Sequence, residues 1–588
     1  MPLTLMKADP MQVMQVSAAP HIETDEDVVL SVDNLSLDFR LRNEVLHAAR
    51  NVSFKLRRGK TLCLVGESGS GKSVTARALM RIIDRNGTIS SGSIMLRGKG
   101  EPVDIGRLEE RSREMLSIRG GRIGLIFQEP MSSLSPVHTI GSQIIEAVRL
   151  HTNLGKAAAR ARTIDLLRQV EIPNPEQMVD RYTFEFSGGM RQRAMIAMAL
   201  AANPEVLIAD EPTTALDVTT QAEILDLIKR LQESRGMAML LITHDMGVVA
   251  EVADEVAVMH YGRIVESGPV DDIFHNAGHD YTRRLLNSTV KLEQNRRAKA
   301  RAEGATDKPV VLAARNLTKV YGATASWLGG NKFAVRAVED VSFDLHAGEN
   351  LGIVGESGSG KTTLGRMLLR IVEPSSGSVT FRPGTPDEVD ITTLSKRRLR
   401  DFHREVRLIF QDPFASLNPR MTVRDIIADP LVVGGHTNRK AMDERVCELL
   451  ELVGLDPATR ERYPHAFSGG QRQRIGIARA LALDPKIIIA DEATAALDVS
   501  IRAQILDLLL DIQKRLDLSF IFISHDISVV RYFCDRVAVM HRGKLVELGP
   551  AEQICTAPRE AYTKSLISAV PNPDPRNKRM LHRTRFTA

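Results

Sequence analysis

One seven-residue string, GESGSGK, occurs twice in this chain of 588 residues, at positions 66–72 and 355–361. Each copy follows a short apolar run and precedes a hydroxyl residue, Ser73 or Thr362, and then a segment typical of a helix. Glycines at this spacing let backbone N–H groups turn toward an anion, and the helix that follows adds the positive end of its dipole. Two copies in the same strand–loop–helix context predict two phosphate-binding loops (P-loops), and therefore two nucleoside triphosphate sites.

Each P-loop supplies two kinds of ligand. The lysine is expected to reach the β- and γ-phosphates, and the hydroxyl residue after it is expected to bind Mg²⁺. The predicted nucleotide-binding residues of the first loop are Gly66, Glu67, Ser68, Gly69, Ser70, Gly71, Lys72 and Ser73. Those of the second are Gly355, Glu356, Ser357, Gly358, Ser359, Gly360, Lys361 and Thr362.

The bulk composition excludes several other classes of protein. The 78 basic and 73 acidic residues nearly balance, which is unlike the dense positive charge of a nucleic-acid binder. The four cysteines lack C-x-x-C spacing, which argues against zinc, an iron–sulfur cluster or a disulfide framework. The sequence holds no apolar stretch of about 18 residues that could span a bilayer. We therefore predict a soluble, cytoplasmic protein that contacts a membrane only through a partner.

Later motifs repeat at a constant offset. Ser187 and Ser468, Asp210 and Asp491, and His244 and His525 are each separated by 281 positions. This register predicts duplication of a whole domain. The predicted division is a disordered tail over 1–27, a first domain over 28–287, a charged linker over 288–309, a second domain over 310–570 and a basic C-terminal tail over 571–588.

Short, continuously apolar segments alternate with amphipathic ones in both halves. Residues 206–209 and 238–242 have strand length, whereas 221–231 carries apolar residues at helical spacing. This alternation predicts an α/β fold with a mostly parallel sheet that is covered on both faces.

Two acidic residues end a buried strand in each half, at Asp210-Glu211 and Asp491-Glu492. The aspartate can hold Mg²⁺, and the glutamate can orient or deprotonate the attacking water. The alternative interpretation is a solvated acidic turn, which the presence of a P-loop in the same half disfavours.

A Ser-Gly-Gly string precedes a helix in each half. It offers a hydroxyl and close backbone approach to a phosphate at a positive helix end, although an ordinary N-cap would use the same residues. With the other motifs in order, this string resembles the signature of ATP-binding cassette (ABC) ATPases, over about residues 28–285 and 310–570. The signature residues are Ser187, Gly188 and Gly189 in the first half and Ser468, Gly469 and Gly470 in the second.

The resemblance assigns roles to further residues. Gln128 and Gln411 resemble the Q-loop glutamines that touch Mg²⁺ or water, and His244 and His525 resemble the histidines that contact the γ-phosphate, although such a histidine alone is more often structural. Asp217 and Asp498 resemble the acids of the D-loop. Phe39 and Tyr321 resemble the aromatic residues that stack on adenine, although a buried strand aromatic would explain them equally well. The implied catalytic residues are Glu211, Glu492, His244, His525, Gln128 and Gln411; the implied metal ligands are Ser73, Thr362, Gln128, Gln411, Asp210 and Asp491.

The resemblance also implies an architecture. Each cassette combines a RecA-like, mostly parallel core sheet with an antiparallel β subdomain and a helical signature subdomain. The two cassettes pair head to tail within one chain, so that each P-loop faces the signature of the other half across an ATP. Both composite sites are expected to be competent, since the departures (Met190 against Gln471, and Pro212 against Ala493) remove no phosphate, metal or base contact.

Among ABC proteins, an ATPase motor of a bacterial importer fits best. A DNA-repair ATPase needs a coiled coil or zinc module between P-loop and signature, and 115 positions from Lys72 to Ser187 leave no room for a long coiled coil. A translation factor has a longer linker and usually lacks the histidine. A soluble twin-cassette ATPase of translation or DNA repair remains the alternative.

Within importers, the segments 127–134, 210–217 and 410–419 resemble the oligopeptide/dipeptide group, and the fused pair resembles the ATPases of glutathione importers. The implied cofactors are ATP and Mg²⁺, and the implied cargo is glutathione or small peptides. The implied partners are two membrane permease subunits, which dock near 129–150 and 412–432, and indirectly a periplasmic binding protein. No nucleic-acid partner is expected. The location implied is the cytoplasmic face of the inner membrane.

Overall fold

The structure is a computed structural model, and it describes residues 27–41, 44–129, 133–214, 216–293, 308–322, 334–412, 415–495, 497–584 and 586. The predicted tail over 1–27 therefore lies outside the described residues, apart from Asp27. Most of the predicted linker, residues 294–307, also lies outside them. Among the described residues, none of the helices is both long and apolar enough to cross a membrane.

The first half contains ten strands and ten α-helices among the described residues. Its strands are β1 (Val28–Arg40), β2 (Val45–Arg57), β3 (Thr61–Val65), β4 (Gly87–Leu96), β5 (Val103–Asp104), β6 (Ile123–Ile126), β7 (Val206–Asp210), β8 (Ala238–Thr243), β9 (Glu255–His260) and β10 (Arg263–Pro269). Its helices are α1 (Lys72–Leu79), α2 (Arg113–Ile118), α3 (Ile140–His151), α4 (Lys156–Gln169), α5 (Pro175–Met178), α6 (Gly188–Ala199), α7 (Val218–Arg235), α8 (Met246–Val252), α9 (Val270–His275) and α10 (Asp280–Glu293).

The second half repeats this order. Its strands are β11 (Val310–Tyr321), β12 (Val335–His346), β13 (Asn350–Val354), β14 (Ser376–Phe381), β15 (Val389–Asp390), β16 (Val406–Ile409), β17 (Ile487–Asp491), β18 (Ser519–Ile523), β19 (Arg536–His541) and β20 (Lys544–Pro550). Its helices are α11 (Lys361–Leu368), α12 (Lys396–Glu405), α13 (Val423–Val433), α14 (Arg439–Leu452), α15 (Gly469–Leu481), α16 (Val499–Leu516), α17 (Ile527–Phe533), α18 (Ala551–Thr556) and α19 (Ala561–Ser568).

Within the described residues, each half has two sheets. In the first half a six-stranded sheet has the order β10-β9-β3-β8-β7-β6, and all its pairings are parallel except β9 with β10. A four-stranded antiparallel sheet, β2-β1-β4-β5, packs beside it, and the second half has the same two sheets. Every residue of β3, β7 and β8 is buried, as expected for a parallel sheet covered on both faces. The predicted fold class is confirmed.

The strand order decides where the functional groups meet. The carboxyl ends of β3, β8, β7 and β6 lie side by side, and they lead into the P-loop, His244, the Asp-Glu pair and Gln128. A helical insertion, α3 to α6, separates β6 from β7 and carries the signature at the start of α6. Residues from four separate stretches of sequence therefore converge on one edge of the sheet.

The C-terminal segments cross between the halves. Helix α10 extends six residues into the predicted linker and packs on α16 and α17 of the second half. The predicted basic tail is also packed: Met580 is fully buried in the core of the first half, and Arg576 pairs with Asp271 at 2.6 Å. The C-terminal segment of each half therefore packs against the other half.

Candidate active site

The P-loop lysine of each half is buried over its own loop. Lys72 Nζ donates to the carbonyl oxygens of Gly66 at 2.7 Å and Glu67 at 2.8 Å, and to Ser70 Oγ at 3.2 Å. Lys361 makes the same three contacts at 2.7, 2.8 and 3.5 Å. Burial lowers the pKa of both lysines, while carboxylates around each site oppose that change. The ammonium groups lie at the loops, where the sequence predicts phosphate.

The hydroxyl residue after each lysine meets the strand-end aspartate. Ser73 Oγ lies 2.9 Å from Asp210 Oδ1, and Thr362 Oγ1 lies 3.4 Å from Asp491 Oδ1. These are hard oxygen donors of the kind Mg²⁺ takes, so the residues fit the cation. Burial raises the pKa of both aspartates, and a bound cation would favour their ionised form.

The adjacent glutamate accepts from the predicted glutamine and histidine in both halves. Gln128 Nε2 donates to Glu211 Oε2 at 2.9 Å, and His244 Nδ1 lies 3.1 Å from Glu211 Oε1. In the second half the corresponding distances from Glu492 are 2.6 Å to Gln411 and 3.3 Å to His525. The structure thus brings each predicted catalytic trio together.

The protonation state of the first glutamate is set by its partners. Burial works against its ionisation, but the hydrogen bond and charge of His244, the Thr214 hydroxyl and Lys72 hold the pKa of Glu211 at about 2. The pKa of Glu492 is also lowered, against burial, by His525 and Lys361. Both carboxylates are therefore ionised at neutral pH and able to accept a proton from water.

Thr214 is a contact that the sequence reasoning missed. Its hydroxyl donates to Glu211 at 2.8 Å, whereas Ala495 occupies the matching position of the second half. An alignment of 210–217 with 491–498 at the offset of 281 would have exposed this difference.

The two halves touch at the P-loops through the D-loop acids. The backbone N–H of Ser68 donates to Asp498 at 3.2 Å, and that of Ser357 donates to Asp217 at 3.4 Å. Glu67 in addition accepts from the Ser500 hydroxyl. Each P-loop is therefore completed by a residue of the other half, in a reciprocal arrangement.

A cavity of about 800 Å³ lies at the second P-loop. Its walls include Lys361, Glu492 and His525 of the second half and Glu129 and Asp217 of the first. Its volume suits a ligand of nucleotide size.

The predicted signature residues lie outside that wall. Ser187 caps α6 by accepting from the Met190 N–H at 3.3 Å, while Gly188 and Gly189 face Leu216 and Thr220. Ser468 forms a capping box with Gln471. The direct signature contacts with nucleotide therefore stay predictions.

The two predicted adenine-stacking residues differ in setting. Phe39 lies over Gly87, its partner across the sheet, and Tyr321 is 44% exposed beneath the Lys319 ammonium. Tyr321 stands at the end of β11, beside residues 323–333, which lie outside the described part of the chain. Their contact with adenine stays a prediction.

Comparison with known proteins extends these observations. The family described as "ABC transporter" matches residues 49–214 and 338–495, and the "Oligopeptide/dipeptide transporter, C-terminal region" matches 265–313 and 546–586. The glutathione import ATP-binding protein GsiA of Shigella boydii serotype 4 (strain Sb227) is 48% identical over 580 residues, which is 95% of this chain and 92% of that protein. The protein of the same name from Escherichia coli (strain K12) gives the same identity and coverage.

Among solved structures, the dimeric ATP-binding cassette MJ0796 in a post-hydrolysis state is 25% identical and covers 41% of this chain and 98% of its own, with a TM-score of 0.37. The sequence matches confirm the resemblance drawn from the motifs. Each of the two matches to the cassette family is followed by a match to the oligopeptide/dipeptide C-terminal region, so both repeats have the same family composition. The chain belongs to the ABC transporter family.

Proposed function

We propose that this protein is the ATP-hydrolysing motor of a bacterial importer that takes up glutathione or small peptides. The observation that carries the proposal is the repeated meeting of lysine, aspartate, glutamate, glutamine and histidine at one sheet edge, with an acid of the other half on each P-loop. The GsiA relatives, which are named glutathione import ATP-binding proteins, support glutathione as cargo. They also favour import over the alternative of a soluble ATPase of translation or DNA repair.

The site geometry supports ATP hydrolysis at both sites. Lys72 and Lys361 would bind the β- and γ-phosphates, and the loop N–H groups would hold their remaining oxygens. Mg²⁺, held by Ser73 with Asp210 and by Thr362 with Asp491, would neutralise charge on the phosphates.

Each glutamate would take a proton from the attacking water. Both glutamates are ionised. Glu211 is held by Gln128, His244 and Thr214, and Glu492 is held by Gln411 and His525, so each carboxylate is oriented toward a water in line with the γ-phosphate. His244 and His525 would orient those carboxylates. Binding of ATP across the reciprocal contacts would draw the halves together, and hydrolysis would release them.

Exposed apolar side chains support permease docking at the predicted segments. Val137 is 74% exposed and Leu150 is 73% exposed within 129–150, and Val432 is 56% exposed within 412–432. Residues 130–132 and 413–414 of these segments lie outside the described residues. Exposed apolar side chains on a helical subdomain are compatible with a protein contact, so we propose one permease subunit on each segment, at the cytoplasmic face of the inner membrane.

Uptake in cells tests the function. Cells that lack the gene would receive either the natural protein or the double variant Glu211→Gln with Glu492→Gln, and uptake of labelled glutathione and a labelled dipeptide would be measured. We expect only the natural protein to restore glutathione uptake, because loss of a general base lowers the rate by roughly 10²–10⁴-fold.

Other outcomes would revise the proposal. Uptake of the dipeptide alone would keep the motor and change the cargo. Equal uptake with both proteins would contradict the assignment of the two glutamates. If the uptake of neither compound depended on the gene, the importer function would be contradicted.

A further inference from the structure

Two tyrosines that belong to none of the cassette motifs reach the P-loops. The Glu67 N–H donates to the hydroxyl of Tyr281 at 2.9 Å, and the Glu356 N–H donates to the hydroxyl of Tyr562 at 3.2 Å. The tyrosines are 281 positions apart, which is the offset of the paired motifs from Ser187 and Ser468 onward. The same contact therefore occurs independently in both cassettes.

The tyrosine and the P-loop lysine hold opposite ends of one peptide group. In the first cassette the Gly66–Glu67 peptide offers its carbonyl oxygen to Lys72 Nζ at 2.7 Å and its N–H to Tyr281. In the second cassette the Gly355–Glu356 peptide does the same with Lys361 at 2.7 Å and with Tyr562. Rotation of either peptide would break both hydrogen bonds and remove one of the carbonyl oxygens that hold the lysine.

Glycine provides the first half of this peptide in both cassettes. Gly66 has φ of 149° and Gly355 has φ of 151°, in a region that residues with a Cβ rarely adopt. A Cβ at Gly66 would lie 2.2 Å from the Met259 carbonyl oxygen, so glycine is required there. An outside partner such as a tyrosine hydroxyl can supply the restraint that glycine lacks.

Each tyrosine is itself fixed. Tyr281 is 3% exposed and stacks on His260 with ring centroids 3.8 Å apart, and Tyr562 is 5% exposed and stacks on His541 at 4.0 Å. Burial raises the pKa of Tyr281 to about 12, so its hydroxyl stays protonated and neutral. Burial also raises the pKa of Tyr562.

The tyrosines lie in the C-terminal region of each cassette and not in its nucleotide-binding core. Tyr281 is the second residue of α10, which continues onto α16 and α17 of the other cassette, where Lys291 pairs with Asp507. Tyr562 lies in α19, which is followed by the segment that packs on the first cassette. Each region therefore spans from its own P-loop to the opposite cassette.

We propose that Tyr281 and Tyr562 are positioning residues that set the affinity for ATP by fixing the peptide that holds each P-loop lysine. The inference rests on the proposed ATPase function and assigns a role in it to the C-terminal regions. The hydroxyls act on binding and not on the chemical step, because Glu211, Glu492 and their partners are held by separate contacts.

The test is the steady-state ATPase of the full chain carrying Tyr281→Phe, Tyr562→Phe or both. Phenylalanine keeps the ring and its stacking and removes only the hydroxyl. We expect KM for ATP to rise about 2- to 10-fold for the double variant, which is the effect of losing one neutral hydrogen bond at each site, while kcat changes less than twofold. Tyr261→Phe is the matched control, since Tyr261 is 82% exposed beside the same His260 and lies outside the loop contact.

Two further measurements keep the result interpretable. Equilibrium binding of a fluorescent ATP analogue should weaken by the same factor as KM rises, and the temperature of unfolding without nucleotide should match that of the natural protein. An unchanged KM, a fall in kcat alone, or an equal change in the Tyr261→Phe control would overturn the proposal. If the natural protein itself hydrolysed no ATP, the proposed function would fail instead.

Discussion

In the first cassette, the acceptor for the incoming C-terminal segment is Glu251, a fully buried carboxylate. Its Oε1 atom accepts from the backbone N–H groups of Asn572 at 3.1 Å, Arg579 at 2.9 Å and Met580 at 3.0 Å. At the matching position the second cassette has Tyr532, whose hydroxyl donates to Asp507. The segment of the first cassette that packs on the second cassette is the regular helix α10. A helix satisfies its own backbone, whereas an irregular segment needs an acceptor from its host.

The two nucleotide sites, in contrast, are nearly identical. Their lysine, aspartate, glutamate, glutamine and histidine contacts correspond one to one, and the distances differ by no more than 0.5 Å. The one changed contact to the glutamate among the described residues is Thr214 against Ala495. Duplication has therefore kept the chemistry nearly equal, while the means of attachment between cassettes has diverged.

The largest effect is expected when the two glutamates are substituted one at a time, which tests whether the two nucleotide sites are equivalent. We expect Glu211→Gln alone and Glu492→Gln alone each to lower ATPase turnover of the whole chain by roughly 10²-fold or more. The reason is that the reciprocal contacts, Ser68 with Asp498 and Ser357 with Asp217, tie each P-loop to the other cassette. Steady-state phosphate release measures the effect. Retention of about half the natural rate in either variant would mean that the sites turn over independently.

The difference in attachment can be tested with Glu251→Ala. The change leaves three backbone donors without their acceptor, and each costs about 1–3 kcal/mol if it stays unsatisfied. We expect opening of the C-terminal segment to become at least about 10-fold more frequent, which is the ratio that 1.4 kcal/mol gives. Limited digestion with trypsin at Arg576 and Arg579 measures it.

The matched control for that variant is Tyr532→Phe, which alters the corresponding position of the other cassette. Its digestion at Arg576 and Arg579 should proceed at the natural rate, since Tyr532 is not among the acceptors of that segment. Equal rates for Glu251→Ala and the natural protein would show that packing of Met580, and not the carboxylate, holds the segment.

The smallest expected effect concerns Thr214. Its hydroxyl stabilises the anionic form of Glu211 and so weakens it as a base. We expect Thr214→Ala to raise turnover about twofold and Ala495→Thr to lower it by a similar factor, because the strength of the glutamate as a base follows its pKa. Comparison of kcat at saturating ATP measures both. Changes of the same sign in the two variants would contradict this reason.

The sequence was sufficient to predict which polar groups meet at the sheet edge, because each motif is tied to the end of its own strand. A buried strand that ends in Asp-Glu, and another that ends in a glycine-rich loop, place their polar groups at the carboxyl ends of the strands wherever the strands are parallel. Lys72 and the Asp210-Glu211 pair could therefore be placed at one sheet edge from the residues themselves, and the resemblance to the cassette family added Gln128, although the three motifs lie in three separate stretches.

The sequence was insufficient where a contact depends on packing between distant segments. Residues 571–588 have the composition of a basic tail, and nothing local to them indicates that Met580 is buried against the first cassette. The roles of Glu251, Tyr281 and Tyr562 depend on which segment packs beside them. Only the offset of 281 between Tyr281 and Tyr562, which equals that of the later motifs, was a usable signal.

By itself, then, the sequence determined the duplicated α/β fold, the pair of P-loops and the groups at each sheet edge, because strand–loop–helix motifs carry their geometry with them. Only the tertiary structure decided that each cassette holds the C-terminal end of the other, and that a tyrosine from each C-terminal region bonds its own P-loop. Those contacts join residues up to 329 positions apart, between Glu251 and Met580. Packing of complementary buried surfaces, which no short-range pattern encodes, selects such pairs.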